Sequence, residues 1–205
     1  MSVARALLSL VFAVCLMADT NPAAPTYGGR VGESLTGLLL VATPNLPDPH
    51  FAKSIVFIVR HNEQGAFGIV VNKVLGTGPA GEVLREFGVD EPDAVGDLRV
   101  YFGGPVGPYA AFVLHSTDYK DEQTHLVTPD LAITSDKEIL SLIGQGKGPR
   151  RSLVAVGYAG WGPGQLESEI AQGSWYIAPP DESILFSDDV DSEWSRAVKI
   201  GGLDL

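Results

Sequence analysis

Four histidines, His50, His61, His115 and His125, carry the side chains best suited to proton transfer or metal ligation near neutral pH. No pair stands at H-x-x-x-H spacing and H-E-x-x-H does not occur, so the sequence offers no helical metal motif. A single cysteine, Cys15, excludes an internal disulfide and a cysteine-based zinc site. There is no G-x-S-x-G turn to raise a serine nucleophile. Gly146-Lys147 lacks the upstream glycine and the following Ser or Thr of a phosphate loop. His61 reads as a turn residue, and His115, after Phe112-Val113-Leu114, as a strand-end histidine with its polar atoms satisfied. These patterns assign no catalytic residue, no cofactor and no metal.

Gly76-Thr77-Gly78-Pro79-Ala80-Gly81 formally matches the dinucleotide fingerprint G-x-G-x-x-G. The helix after it, Glu82–Phe87, is short, and no acidic residue closes the next strand, Leu98–Phe102. Pro79 also removes a backbone donor from the cradle. A flexible connector fits this stretch better. Glu167 and Glu169 suggest an acid/base pair, but two residues apart on a helix they diverge by about 200°. A first-turn carboxylate at Glu167 is explained by the helix dipole. Asp188, Asp189, Asp191 and Glu193 lack the central glycine of a calcium loop, and Asp191 or Ser192 fits as a helix cap. The best polar cluster left is Ser54, Asn72 and Lys73, with Asp48 nearby. The expected pairings are a Ser54–Asn72 hydrogen bond and a Lys73–Asp48 ion pair, holding a Pro-rich corner.

Three strands must position that cluster: Leu38–Ala42, Ser54–Arg60 and Ala66–Asn72. They are β-branched and aromatic runs bounded by Pro, Asn and Gly. His61-Asn62-Glu63-Gln64-Gly65 reads as a five-residue loop ending on a glycine. Pairing centred on Glu63 sets Phe57 opposite Ile69, Ile55 opposite Val71 and Val59 opposite Phe67 on one face. The other face pairs Val56 with Val70 and Ile58 with Gly68, and Ser54 meets Asn72 at the far end. Both faces are apolar, which predicts an interior hairpin. A strand of this length spans roughly 23 Å. His61 at the turn and Lys73 beside Asp48-Pro49-His50 therefore lie at opposite ends and share no site.

Further strands are expected at Leu98–Phe102, Ala110–His115, His125–Thr128, Leu153–Tyr158 and Trp175–Ala178. Helices are expected from Ser135, capped by a Ser135–Glu138 box, at Gln165–Ala171 and at Ser192–Ile200. With 45% hydrophobic and 19% charged residues, positions 35–205 suit one globular domain. The formal charge of −11 opposes binding to phosphate backbones, and Lys147 with Arg150-Arg151 makes only a small basic cluster. Residues 1–34 read as a leader with two interpretations. The apolar run Ala6–Ala18 is too short to span a bilayer but fits a signal-peptide core cleaved after Ala18, which would place the protein in the periplasm. Alternatively, translation starts at Met17, residues 1–16 are upstream sequence, and the protein is cytoplasmic.

Several stretches recur together in order. They are Pro44-x-Leu46-x-Asp48-Pro49-x-Phe51, His61, Gly65-Ala66-x-Gly68, Asn72-Lys73, Gly103-Gly104-Pro105, Leu114-His115 and Gly160-Trp161-x-x-Gly164-Gln165-Leu166-Glu167-x-Glu169, with Trp175 and Trp194. In this the chain resembles the YqgE/AlgH family of bacterial proteins. The resemblance implies a single α+β domain with a mixed, strongly curved sheet, a pseudo-barrel, flanked by short helices, and a cytosolic location. The family carries no established catalytic residues to transfer, and some members are labelled transcriptional regulators. The expectation is a non-catalytic regulatory or interaction domain with another protein as partner, acting on gene expression indirectly. Its candidate surface is Asp48, His50 and Lys73, with Trp161 and Gln165 if the two stretches are neighbours. The alternatives are a small-molecule hydrolase or ligand-binding enzyme using His61 or His115 as base, and a direct DNA-binding regulator, for which no helix-turn-helix is visible.

Overall fold

The first three apolar runs form strands β1 (Leu39–Ala42), β2 (Ile55–Asn62) and β3 (Gly65–Val70), paired antiparallel in that order. Ile55 through Val59 are at most 3% exposed, so β2 is covered on both faces, as its apolar composition requires. The computed structural model describes residues 34–44, 46 and 48–200. Both readings of the leader, the Ala6–Ala18 core and the start at Met17, lie outside the described residues.

The hairpin register follows expectation for Val56 with Val70, Phe57 with Ile69 and Ile58 with Gly68. It then departs. Arg60, not Val59, faces Phe67; His61 faces Ala66; and Asn62 faces Gly65. The turn is Glu63-Gln64 alone, not a five-residue loop. The Asn62 side chain closes it, its Oδ1 accepting from the Gln64 amide at 2.9 Å. A shorter turn leaves β2 one residue longer than its partner, and a β-bulge at Val59/Arg60 absorbs the excess. Beyond the bulge every side chain has changed face.

The chain continues with β4 (Val74–Pro79), α1 (Ala80–Glu86), β5 (Asp97–Phe102), β6 (Val106–Ser116), β7 (His125–Leu126) and β8 (Leu131–Thr134). Next come α2 (Lys137–Gly144), β9 (Ser152–Trp161), α3 (Gln165–Ala171), β10 (Trp175–Ala178), α4 (Glu182–Leu185) and α5 (Val190–Ile200). The strand order is β10-β1-β2-β3-β9-β6-β8-β7, with β5 parallel to β9 and β4 antiparallel to β5. The result is one mixed, strongly curved sheet with short helices, a single α+β domain. The glycine stretch at Gly76 is no flexible connector: Gly76, Thr77 and Gly78 pair with Val100, Arg99 and Leu98 in β4. Pairing with β5 overrides its low strand propensity. The strand β8 and the helix α4 are not among the elements expected from the sequence. Asp136, not Ser135, caps α2, accepting from the Glu138 amide at 2.8 Å. Asp191 and Ser192 lie inside α5 and do not precede it.

Strand β9 organises the curvature. Val154–Val156 pair with β5, whereas Ala159–Trp161 pair with β3. The switch falls at Gly157, where Gly103 bridges the gap: its amide donates to the Val156 carbonyl and its carbonyl accepts from the Val70 amide, both at 2.8 Å. Gly104 has φ +149, and a Cβ there would sit 2.1 Å from the Tyr158 carbonyl carbon. Only glycine admits so close an approach of two backbones. One face of the sheet then gathers Leu39, Phe57, Ile69, Leu114, Ala155 and α5 residues into a single cluster. The other face is divided between a cluster under α3 and one under α1 and α2. A sheet bent around its first face has this distribution.

Helix α5 closes the inner face. Its Trp194 Nε1 donates to the Ala42 carbonyl at 2.8 Å. Beside it Glu193 is 1% exposed and its Oε2 has no hydrogen-bond partner among the described residues. Burial pushes its carboxyl up to about 7. Between about pH 4.5 and 7 the folded protein holds a proton that the unfolded chain releases, so stability falls as pH rises through that window.

Two outcomes follow. Gly104→Ala forces β6 and β9 apart and costs on the order of 3 kcal/mol by chemical denaturation; an unchanged midpoint would contradict this account of the bend. Glu193→Gln removes the titration. Its unfolding free energy should exceed that of the parent above pH 7, by up to about 3 kcal/mol. The gain should fade as pH falls to 4.5.

Candidate functional site

The Pro-rich corner between β1 and β2 is held from the far end of the hairpin. Asn72 does not bond Ser54. Its Oδ1 accepts from the Ile55 amide and its Nδ2 donates to the Lys53 carbonyl, both at 2.8 Å. A side-chain amide carries the donor and acceptor of a peptide group, so Asn72 grips the backbone on both sides of Ser54. That leaves the buried Ser54 hydroxyl without a partner among the described residues. It also braces Lys53, whose φ of 54° is unusual outside glycine. Lys73 likewise does not form the expected contact ion pair with Asp48. Its Nζ donates to the His50 carbonyl at 2.6 Å, and partial burial lowers its pKa while the Asp48 charge opposes that. Asp48 Oδ1 accepts from the His50 amide at 2.8 Å and lies 3.0 Å from His50 Nδ1. The His50 side chain remains 65% exposed.

A second cluster forms where β9 enters α3. The Gly164 turn starts α3, and Gln165 folds back so that its Oε1 accepts from the Gly162 amide at 3.0 Å. Glu169, one turn along, accepts from three donors: Trp161 Nε1 at 2.9 Å, Trp175 Nε1 at 2.8 Å and Gln165 Nε2 at 2.9 Å. Both indoles are buried, so a carboxylate taking two indole protons satisfies what would otherwise be orphaned donors.

Phe51 connects the two clusters. Its ring lies 6.3 Å from Trp161 and 5.7 Å from Trp175, centroid to centroid. The segment holding Asp48 and His50 is thereby packed on the tryptophans that Glu169 and Gln165 orient. The structure thus joins Asp48, His50 and Lys73 to Trp161 and Gln165 through Phe51. Trp161 itself is buried, while Asp48, His50 and Gln165 are exposed. Phe51 stood in the sequence only as a member of a motif stretch, since nothing local marks an aromatic as a bridge, and Glu169 was weighed only as half of an acid/base pair with Glu167.

His61, near the end of β2, faces α3. Its Nδ1 accepts from the Leu35 amide at 3.0 Å, which places the ring proton on Nε2, 2.9 Å from Glu167 Oε1. Glu167 has its pKa lowered chiefly by its own backbone amide in the first turn of α3, and further by His61. As expected, Glu167 and Glu169 serve different partners. His115 is fully buried; its Nδ1 donates to the Ser116 carbonyl and its Nε2 accepts from Thr134 Oγ1, both at 2.9 Å. Burial lowers its pKa and keeps it neutral, so this group lowers stability as pH falls below about 6.5. In both rings each nitrogen is committed, and neither has a lone pair free for a substrate proton. Among the described residues no group of three His, Cys, Asp or Glu could hold a metal ion, and no helix is long and apolar enough to cross a membrane.

Fold and site together define an α+β domain built on one curved mixed sheet, in which polar side chains clamp the bends and leave a firm polar rim. The chain belongs to the AlgH-like family (DUF179), whose model matches residues 39–205. Two UPF0301 proteins of Methylococcus capsulatus are 43% and 41% identical over 83% and 84% of this chain, and over 93% and 92% of their own length. The solution structure of the AlgH protein from Pseudomonas aeruginosa is similar with a TM-score of 0.69 and 34% identity, covering 92% of this chain and 94% of that one. A crystal structure from Corynebacterium diphtheriae, 23% identical, shares the fold with a TM-score of 0.61 over 89% of both chains.

The Glu169 cluster is testable. Glu169→Leu leaves two buried indole donors unsatisfied and should cost on the order of 2–4 kcal/mol. Glu169→Gln keeps an acceptor and should cost less. Urea unfolding followed by tryptophan fluorescence compares the two, and equal costs would remove the carboxylate from this role.

Proposed function

We propose that this protein is a non-catalytic, cytoplasmic regulatory domain that docks another protein, with any effect on gene expression passing indirectly through that partner. One observation carries the reading. Phe51 fastens the exposed Asp48–His50 corner to the Trp161–Gln165 turn, so the polar groups of two distant stretches form one pre-set surface. A rigid surface loses little entropy on docking. Lys73 sets the corner from beneath through the His50 carbonyl. The commitment of all four ring nitrogens in His61 and His115 argues against a hydrolase that uses either as base. The charge of −11 argues against direct contact with DNA.

The test is affinity capture from the native cell with the parent protein and with His50→Glu. The His50 ring is exposed and touches only Asp48 by hydrogen bond, so the substitution should leave the unfolding midpoint in place. The parent should retain a partner saturably, and His50→Glu should weaken that retention about tenfold. The reading fails if no saturable partner is found in cells where gene deletion has a phenotype, or if the variant retains the partner equally.

A further inference from the structure

On the inner face of the sheet, opposite the docking rim, a hollow of about 270 Å³ is lined by Val59, Arg60, Phe67, His125 and Ile133. The β2 bulge puts Arg60 on its wall. Strict alternation would send Arg60 to the outer face with Val56 and Ile58. The bulge sets it opposite Phe67 instead, on the side of the inner cluster. Bulges commonly re-aim a side chain beside a functional site. His125 reaches the same hollow because it pairs with Ile133.

The other arginines among the described residues are occupied. Arg99, Arg150 and Arg151 meet Asp188, Asp118 and Glu182. Arg85 bonds the Gly81 carbonyl, and Arg196 bonds Ser183. Arg60 makes no hydrogen bond or ion pair among the described residues, in a chain with 25 acidic residues to offer. The walls beside it are apolar and fixed. The Phe67 ring is held by Tyr158 at 4.8 Å and Phe112 at 5.5 Å, centroid to centroid. A planar cationic fork over a small apolar hollow suits a carboxylate attached to an apolar body. The volume, just below the usual range for ligand pockets, favours a small acid over a nucleotide-sized cofactor.

We propose that this hollow binds a small organic carboxylate, its carboxylate on Arg60 and its apolar body against Phe67 and Ile133. The site does not share a face with the docking rim, so either reading can fail without the other.

Amide NMR spectra of the full-length chain, titrated with benzoate and separately with hexanoate, test the proposal. Benzyl alcohol and inorganic phosphate are the controls. At least one carboxylate should give saturating shifts at Arg60, Phe67, His125 and Ile133. Arg60→Gln should weaken that binding about tenfold without moving the unfolding midpoint. The proposal is overturned if neither carboxylate saturates, if benzyl alcohol or phosphate binds as tightly, or if Arg60→Gln binds like the parent.

Discussion

Side chains alternate across a strand, so one inserted residue reverses the facing of everything beyond it. In β2 that insertion falls at Val59/Arg60, and two separate features depend on it. On the outer side it delivers His61 to the face covered by α3, where the ring meets Glu167. On the inner side it delivers Arg60 to the hollow walled by Phe67. Without the bulge the imidazole would point into the inner core cluster and the guanidinium under α3. The imidazole would then lose its bonds to the Leu35 amide and to Glu167.

The polar residues of this domain act mainly on backbone and on each other. Asn72 supplies both halves of a peptide group to the Pro-rich corner. Lys73 binds a carbonyl in the same corner. His61 ties the entry segment to the hairpin and to α3, because Leu35, Thr36 and Ser34 all bond to it. Glu169 gathers two indoles and an amide. A strongly curved sheet interrupts its own ladders where strands change partners, and those interruptions need outside hydrogen bonds. The motif residues sit at such places: Gly103-Gly104 where β9 changes neighbours, Asn72-Lys73 where β3 ends, Gln165 and Glu169 where β9 passes into α3.

Much of this was legible from pattern. The interior hairpin, its register from Val56 to Ile58, α3 and β10 all follow from apolar periodicity and turn residues. The opposed orientation of Glu167 and Glu169 follows from helix geometry alone. The failures share a cause. Ser54–Asn72 and Lys73–Asp48 were natural pairs by chemistry, yet the nearby backbone offered better-placed partners than the side chains did. The glycine stretch of β4 reads as a loop because strand propensity ignores the neighbour that will pair with it.

The sequence by itself determined which runs are strands, that the β2–β3 hairpin is interior, and that no motif for nucleophilic or metal chemistry is written into it. These rest on periodicity and spacing, which are local. The tertiary structure decided where the bulge falls, which face takes Arg60 and His61, and that Phe51 joins the corner to the tryptophans. His61 and Glu167 are 106 residues apart in the chain. Local pattern carries no information about such a contact, because it depends on how the whole sheet bends.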